Sequence, residues 1–148
     1  MVVDLVRLAE HVHGHLGWLA AAALVHPAIL LKNPQRRVHL SVGLSAGLVS
    51  LAGALGVLLY PEYRSRLKQQ IFLHAPAVGY LFERKEHLAF GAIVLTWAGS
   101  VAYFLAVSAD ESLRAPLRAF AFRAYVLAAA LSVVVAVLGT LVATYRTF

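Results

Sequence analysis

Four long apolar runs separated by short polar turns constrain this chain more than any other feature. They cover about residues 2–31, 38–60, 87–108 and 117–145, the first being most apolar from Leu16 onward. Each holds about 20 or more mostly apolar residues, which as an α-helix crosses a hydrocarbon core of roughly 30 Å. None shows the strict alternation of a membrane β-strand. Only 14% of the residues are charged and 61% are hydrophobic. A soluble domain carries about a quarter of its residues charged. The excess apolar surface therefore calls for lipid as its solvent. The expected fold is all-α: one integral membrane domain, a four-helix bundle, occupying residues 1–148.

The turns are legible from their breakers. Lys32-Asn33-Pro34-Gln35-Arg36-Arg37 is a tight polar turn, with Pro34 ending the first helix. Asp110-Glu111-Ser112, followed by Arg114 and Pro116, is a second turn, with Pro116 near the first position of the last helix. Between helices two and three lies a long connection, residues 61–86. Pro61 is expected to end helix two. Tyr63 to Leu73 then sets Arg64, Arg66 and Lys68 against Leu67, Ile71, Phe72 and Leu73, the pattern of an amphipathic segment lying in the membrane interface. His74-Ala75-Pro76 breaks it, Ala77 to Phe82 is short and apolar, and Glu83-Arg84-Lys85-Glu86 is a charged turn.

The net charge is +6. The basic residues cluster at the ends of apolar runs, where lipid head groups are the expected partner rather than nucleic acid. Lys32, Arg36, Arg37, Arg114, Arg118 and Arg123 fall on one side of the membrane. Arg7, Arg64, Arg66, Lys68, Arg84, Lys85 and Arg146 fall on the other. The near tie leaves the orientation open, and the expected location is a bacterial or archaeal cytoplasmic membrane. A charged, histidine-rich stretch precedes the first apolar run without a small-residue cleavage site, so no cleavable leader is expected. Cysteine is absent, which excludes disulfides and thiolate chemistry.

Seven histidines are many for so short a membrane chain, and a polar ring within a span is costly enough to suggest function. On a helical wheel His11, His15 and His26 share one face within about 60°, and His13 points to nearly the opposite one. His15 and His26 lie roughly 17 Å apart along the axis. One face thus offers an imidazole near each membrane surface. His39 opens helix two at the depth of His26, and His87 opens helix three at the depth of His11 and His15. Facing imidazoles at two depths suit bis-histidine haem b, one group or two, held between helices. Gly43, Ser50 and Gly53, on the face of His39, and Gly91, on that of His87, are candidates for a haem groove. The same small residues also serve plain helix packing, and histidines near span ends also act as interfacial hydrogen-bonders. A separate metal reading rests on His11 and His15, an i, i+4 pair able to offer two ligands to copper or zinc.

Four spans, histidines along one face, cross-helix partners in His39 and His87 and a glycine groove together resemble the small four-helix membrane cytochromes b. The resemblance is one of pattern across the whole chain. It implies a haem b protein that transfers electrons within the bilayer, exchanging them with quinone or quinol, and leaves open a quinone-linked oxidoreductase. His74, Tyr80 and Arg84, with Glu83, are then the candidates for a quinone and proton site. The chain departs from that pattern at His26, which stands directly before Pro27, and in having little soluble portion for docking a redox partner. Two further readings stand beside it: a copper- or zinc-binding membrane protein, and a cofactor-free membrane subunit that packs against a partner or a second copy of itself. No nucleophile–base pair or phosphate loop points to hydrolysis or phosphoryl transfer, and no carboxylate deep in a span points to ion-coupled transport.

Overall fold

A computed structural model describes residues 2–145, with side chains from residue 5. Within them the chain is helical almost throughout. Helix α1 spans Val2–Leu30, α2 His39–Glu62, α3 Lys68–His74, α4 Pro76–Ser108 and α5 Glu111–Thr144, and a π turn, Tyr63–Leu67, joins α2 to α3 without a break. Helix α1 packs against α2 and α5, and α4 packs against the same two. Arg146, counted above among the basic residues, lies outside the described residues.

Three helical stretches are long and apolar enough to cross a membrane: His39–His74, Pro76–Ser108 and Glu111–Thr144. Helix α1 differs, because Arg7, Glu10, His11, His13 and His15 crowd its first half. The distribution of side-chain size runs opposite to that of a soluble protein. Small residues make up much of the interior: Ala20 and Ala21 from α1, Ala46 and Ala52 from α2, Ala102 and Ala106 from α4, Ala121, Ala124 and Ala128 from α5. Large apolar side chains face outward, with Leu40 76% exposed, Leu58 75% and Phe90 69%. Small interior residues let backbones approach closely, which is how helices associate when no water drives them together. At Gly99 a Cβ would stand 3.1 Å from that of Ala124, so α4 and α5 meet there nearly backbone to backbone.

Pro61 does not end its helix and Pro116 does not open its own, contrary to what the sequence suggested. Pro27 sits inside α1 and denies the Ala23 carbonyl its intrahelical donor. Ser45 of α2 replaces it, with Oγ 2.8 Å from the Ala23 carbonyl and 2.8 Å from that of Ser41. A neighbouring hydroxyl that re-satisfies a freed carbonyl is what makes proline tolerable in a membrane helix. Pro116 is not at the start of α5 but inside it, since the helix begins at Glu111 with the amides of Leu113 and Arg114 bonded to the Asp110 carbonyl.

The largest correction concerns residues 61–86. Helix continues through Pro61 into the π turn and α3, and only Ala75 interrupts it. Ala75 precedes a proline, which forces it out of the helical region, and Pro76 then opens α4. The segment is thus the tip of a long helical hairpin. Part of its apolar stripe is covered: Ile71 is buried, with Tyr63, against Val78 and Phe82 of α4 and Val142 of α5, while Leu73 is exposed. Tyr63 stacks on Phe82 with ring centroids 3.7 Å apart. Glu83–Glu86, read as a turn, is an interior stretch of α4, and Lys68 Nζ reaches Glu83 Oε1 at 2.9 Å.

Candidate functional site

The histidines come first, because the functional expectations rest on them. His11 and His15 do share a face, but both are exposed and point away from the interior. His13 is the one that turns inward. Its Nδ1–H donates to the Ala52 carbonyl of α2 at 3.1 Å, and Gly56 leaves room for the ring, since a Cβ there would lie 3.0 Å from His13 Cε1. A wheel orders the faces of one helix but not which of them looks inward, so His13 was missed. The absence of a side chain at Gly56, four positions after Ala52, was the one signal in the sequence.

His26 shares a 2.8 Å hydrogen bond between Nδ1 and the Ser41 hydroxyl. His39 instead lies edge-on to Tyr103, at 5.4 Å, and stacked against Phe104, at 5.9 Å. His87 donates its Nδ1–H to the Glu83 carbonyl one turn back, at 2.7 Å. That bond places the proton of the neutral ring on Nδ1 and its lone pair on Nε2. His26, His39 and His87 thus meet a hydroxyl, two aromatic rings and a carbonyl respectively. Among the described residues no group of three or more His, Asp or Glu is arranged to hold a metal ion.

His74, Tyr80 and Arg84 occupy the hairpin tip and are exposed. Tyr80 meets Phe72 edge-on at 5.4 Å, whereas Glu83 is taken up by Lys68.

The proposed haem groove divides in two. Gly53 and Gly91 are helix contacts: a Cβ on Gly53 would fall 2.7 Å from Ile93 Cδ1 of α4, and one on Gly91 3.5 Å from Leu131 Cδ1 of α5. Gly43 and Ser50, by contrast, do line open space. With Ala46, Gly47, Trp97, Val101 and Phe104 they form an apolar groove of about 340 Å³ between α2 and α4. Nothing lies within 4 Å of a Cβ placed on Gly43 or Gly47. The Trp97 indole N–H donates to Ser50 Oγ at 3.0 Å across the groove.

Behind the groove the interior is closed by a polar ladder. The Tyr125 and Ser100 hydroxyls lie 2.7 Å apart, Tyr125 OH is 3.3 Å from the Val42 carbonyl and Ser100 Oγ 2.7 Å from the Thr96 carbonyl, so the two hydroxyl protons serve these three contacts between them. The Val38 amide, at the start of α2, donates to Tyr103 OH at 2.8 Å. Tyr103 and Tyr125 are fully buried among Leu24, Val42, Ala121 and Ala128. Among the described residues these side chains fill the space between the helices at this level, and the groove lies outside them.

Comparison with protein families, curated proteins and solved structures finds no match.

Proposed function

We propose that this chain is an integral membrane four-helix bundle acting as a structural subunit, and that two copies pack through their α2–α4 grooves. The observation that carries the reading is the open space above Gly43 and Gly47 on an outward, apolar face. The two glycines stand four residues apart, the spacing at which membrane helices approach most closely. Exposed Leu40, Leu44 and Leu51 flank them. A two-fold arrangement lets each copy present the same patch to the other. The closed interior supports the reading further, since it assigns the polar groups of the core to holding helices together.

The test is association in liposomes, read by energy transfer between donor- and acceptor-labelled copies diluted with lipid. Wild type is expected to associate, and Gly47→Ile to weaken association at least tenfold. Equal transfer in both proteins contradicts the reading.

A second reading keeps haem b and electron exchange with quinone. What supports it is the tautomer of His87, whose Nδ1–H bond to a carbonyl is the orientation commonly found in metal-ligating histidines. Also in its favour, His39 is placed against Phe104, a wall of the groove. Haem bound there would supply a one-electron couple, and His39 is the residue of this chain placed to meet it. Absorption spectra of the oxidised and dithionite-reduced protein decide the matter. A Soret band that shifts on reduction supports haem binding, and a featureless spectrum from haem-supplied cells refutes this reading.

A further inference from the structure

A second cleft lies at the opposite edge of the molecule, between the end of α1 and the start of α5. It encloses about 380 Å³, with Leu31, Pro34, Ala115, Ala119 and Phe122 as apolar walls and Lys32 and Arg118 as its two cations. We infer that this cleft binds an anionic phospholipid, taking an acyl chain along its walls and the head-group phosphate at Lys32 and Arg118.

Arg118 is held ready for such a role. Its Nη2 donates to the Asn33 carbonyl at 2.9 Å and the Arg36 carbonyl at 3.2 Å, and its guanidinium lies 5.7 Å from the Tyr103 ring centroid. All these partners are neutral. Its Nε is buried without a hydrogen-bond partner. Among the described residues neither Lys32 nor Arg118 has a carboxylate within ion-pair distance, while the pairs Arg66–Glu62 and Lys68–Glu83 sit at the other end of the molecule. The cleft's own end carries Lys32, Arg36, Arg37, Arg114, Arg118 and Arg123 against Asp110 and Glu111. A fixed, uncompensated cation above an apolar cleft complements an amphiphile with a negative head. Basic pockets between membrane helices select anionic lipids in this way. The five apolar walls add burial of an acyl chain, which a free phosphate ion does not have.

The inference rests on membrane placement and not on self-association through the other groove. It is tested by native mass spectrometry of the full chain in neutral detergent, titrated with palmitoyl-oleoyl phosphatidylglycerol or with the matching phosphatidylcholine. Wild type should hold one phosphatidylglycerol at least tenfold more tightly than phosphatidylcholine. Lys32→Gln should weaken it about fivefold, and Ala119→Trp, which fills the cleft and leaves the Arg118 bonds in place, should abolish the preference. Millimolar glycerol phosphate should not displace the lipid. Equal affinity for the two lipids, undiminished preference in Ala119→Trp, or displacement by glycerol phosphate each overturns the site. Failure to hold either lipid, in a chain that stays monodisperse without detergent, overturns membrane placement as well.

Discussion

The two ends of this molecule are built differently. Where the α1–α2 and α4–α5 turns meet, contacts are directional hydrogen bonds: Tyr103 OH accepts from the Val38 amide in the buried core, Ser45 reaches the Ala23 carbonyl half-buried, and Arg118 ties down the exposed carbonyls of Asn33 and Arg36. At the hairpin tip, contacts are broad or exposed: Tyr63 stacked on Phe82, Lys85 4.3 Å from the Phe82 ring centroid, and Lys68 paired with Glu83. The difference lies in which groups meet, backbone amides and carbonyls at the turns and rings and ion pairs at the tip. Deep among apolar side chains each amide and carbonyl needs its own partner. Near water an ion pair forms loosely and adds little.

Breaking single contacts at each end tests this contrast, with stability read by thermal or denaturant unfolding in detergent. Tyr103→Phe should have the largest effect, about 1–3 kcal/mol, because it strands the buried Val38 amide. Ser45→Ala should cost about 1 kcal/mol, the usual scale of a hydroxyl bond between membrane helices. Its effect should vanish in a Pro27→Ala background, where Ala23 regains an intrahelical donor. A double-mutant cycle on Lys68 and Glu83 should give the smallest value, about 0.2–1 kcal/mol and falling with salt. A large, salt-independent coupling there would erase the distinction between the ends.

The same contrast explains what was legible in the sequence. Helical content, the break at Ala75-Pro76 and the tight turn after α1 followed from local chemistry, and the structure bears them out. Pro61 and Pro116 misled because a proline's cost is set by whether other contacts offset it, as Ser45 does at Pro27, and no local pattern reveals that. The stretch after Pro61 read as interfacial because its apolar stripe was clear. Ile71 of that stripe is covered by α4, brought back against it by the break at residue 75, while Leu73 stays exposed. The candidate sites were less legible still. In helices apolar on most sides, nothing in the spacing says that His13 faces α2 while His11 and His15 face out. Of the groove residues, Gly43 and Ser50 line open space, and Gly53 does not because Ile93 of α4 fills the gap.

The central claim is that the Gly43–Gly47 face meets its counterpart in a second copy. The chain contains no cysteine, so Leu44→Cys, at a residue 57% exposed beside the groove, provides a single reporter. Mild oxidation of this variant in native-like liposomes, at a low protein-to-lipid ratio, is the most direct measurement. The account predicts rapid formation of a disulfide-linked dimer, lost on adding Gly47→Ile, with a control cysteine at Val133 of α5 remaining monomeric. Equal cross-linking at both positions, or none at Leu44→Cys, would contradict it.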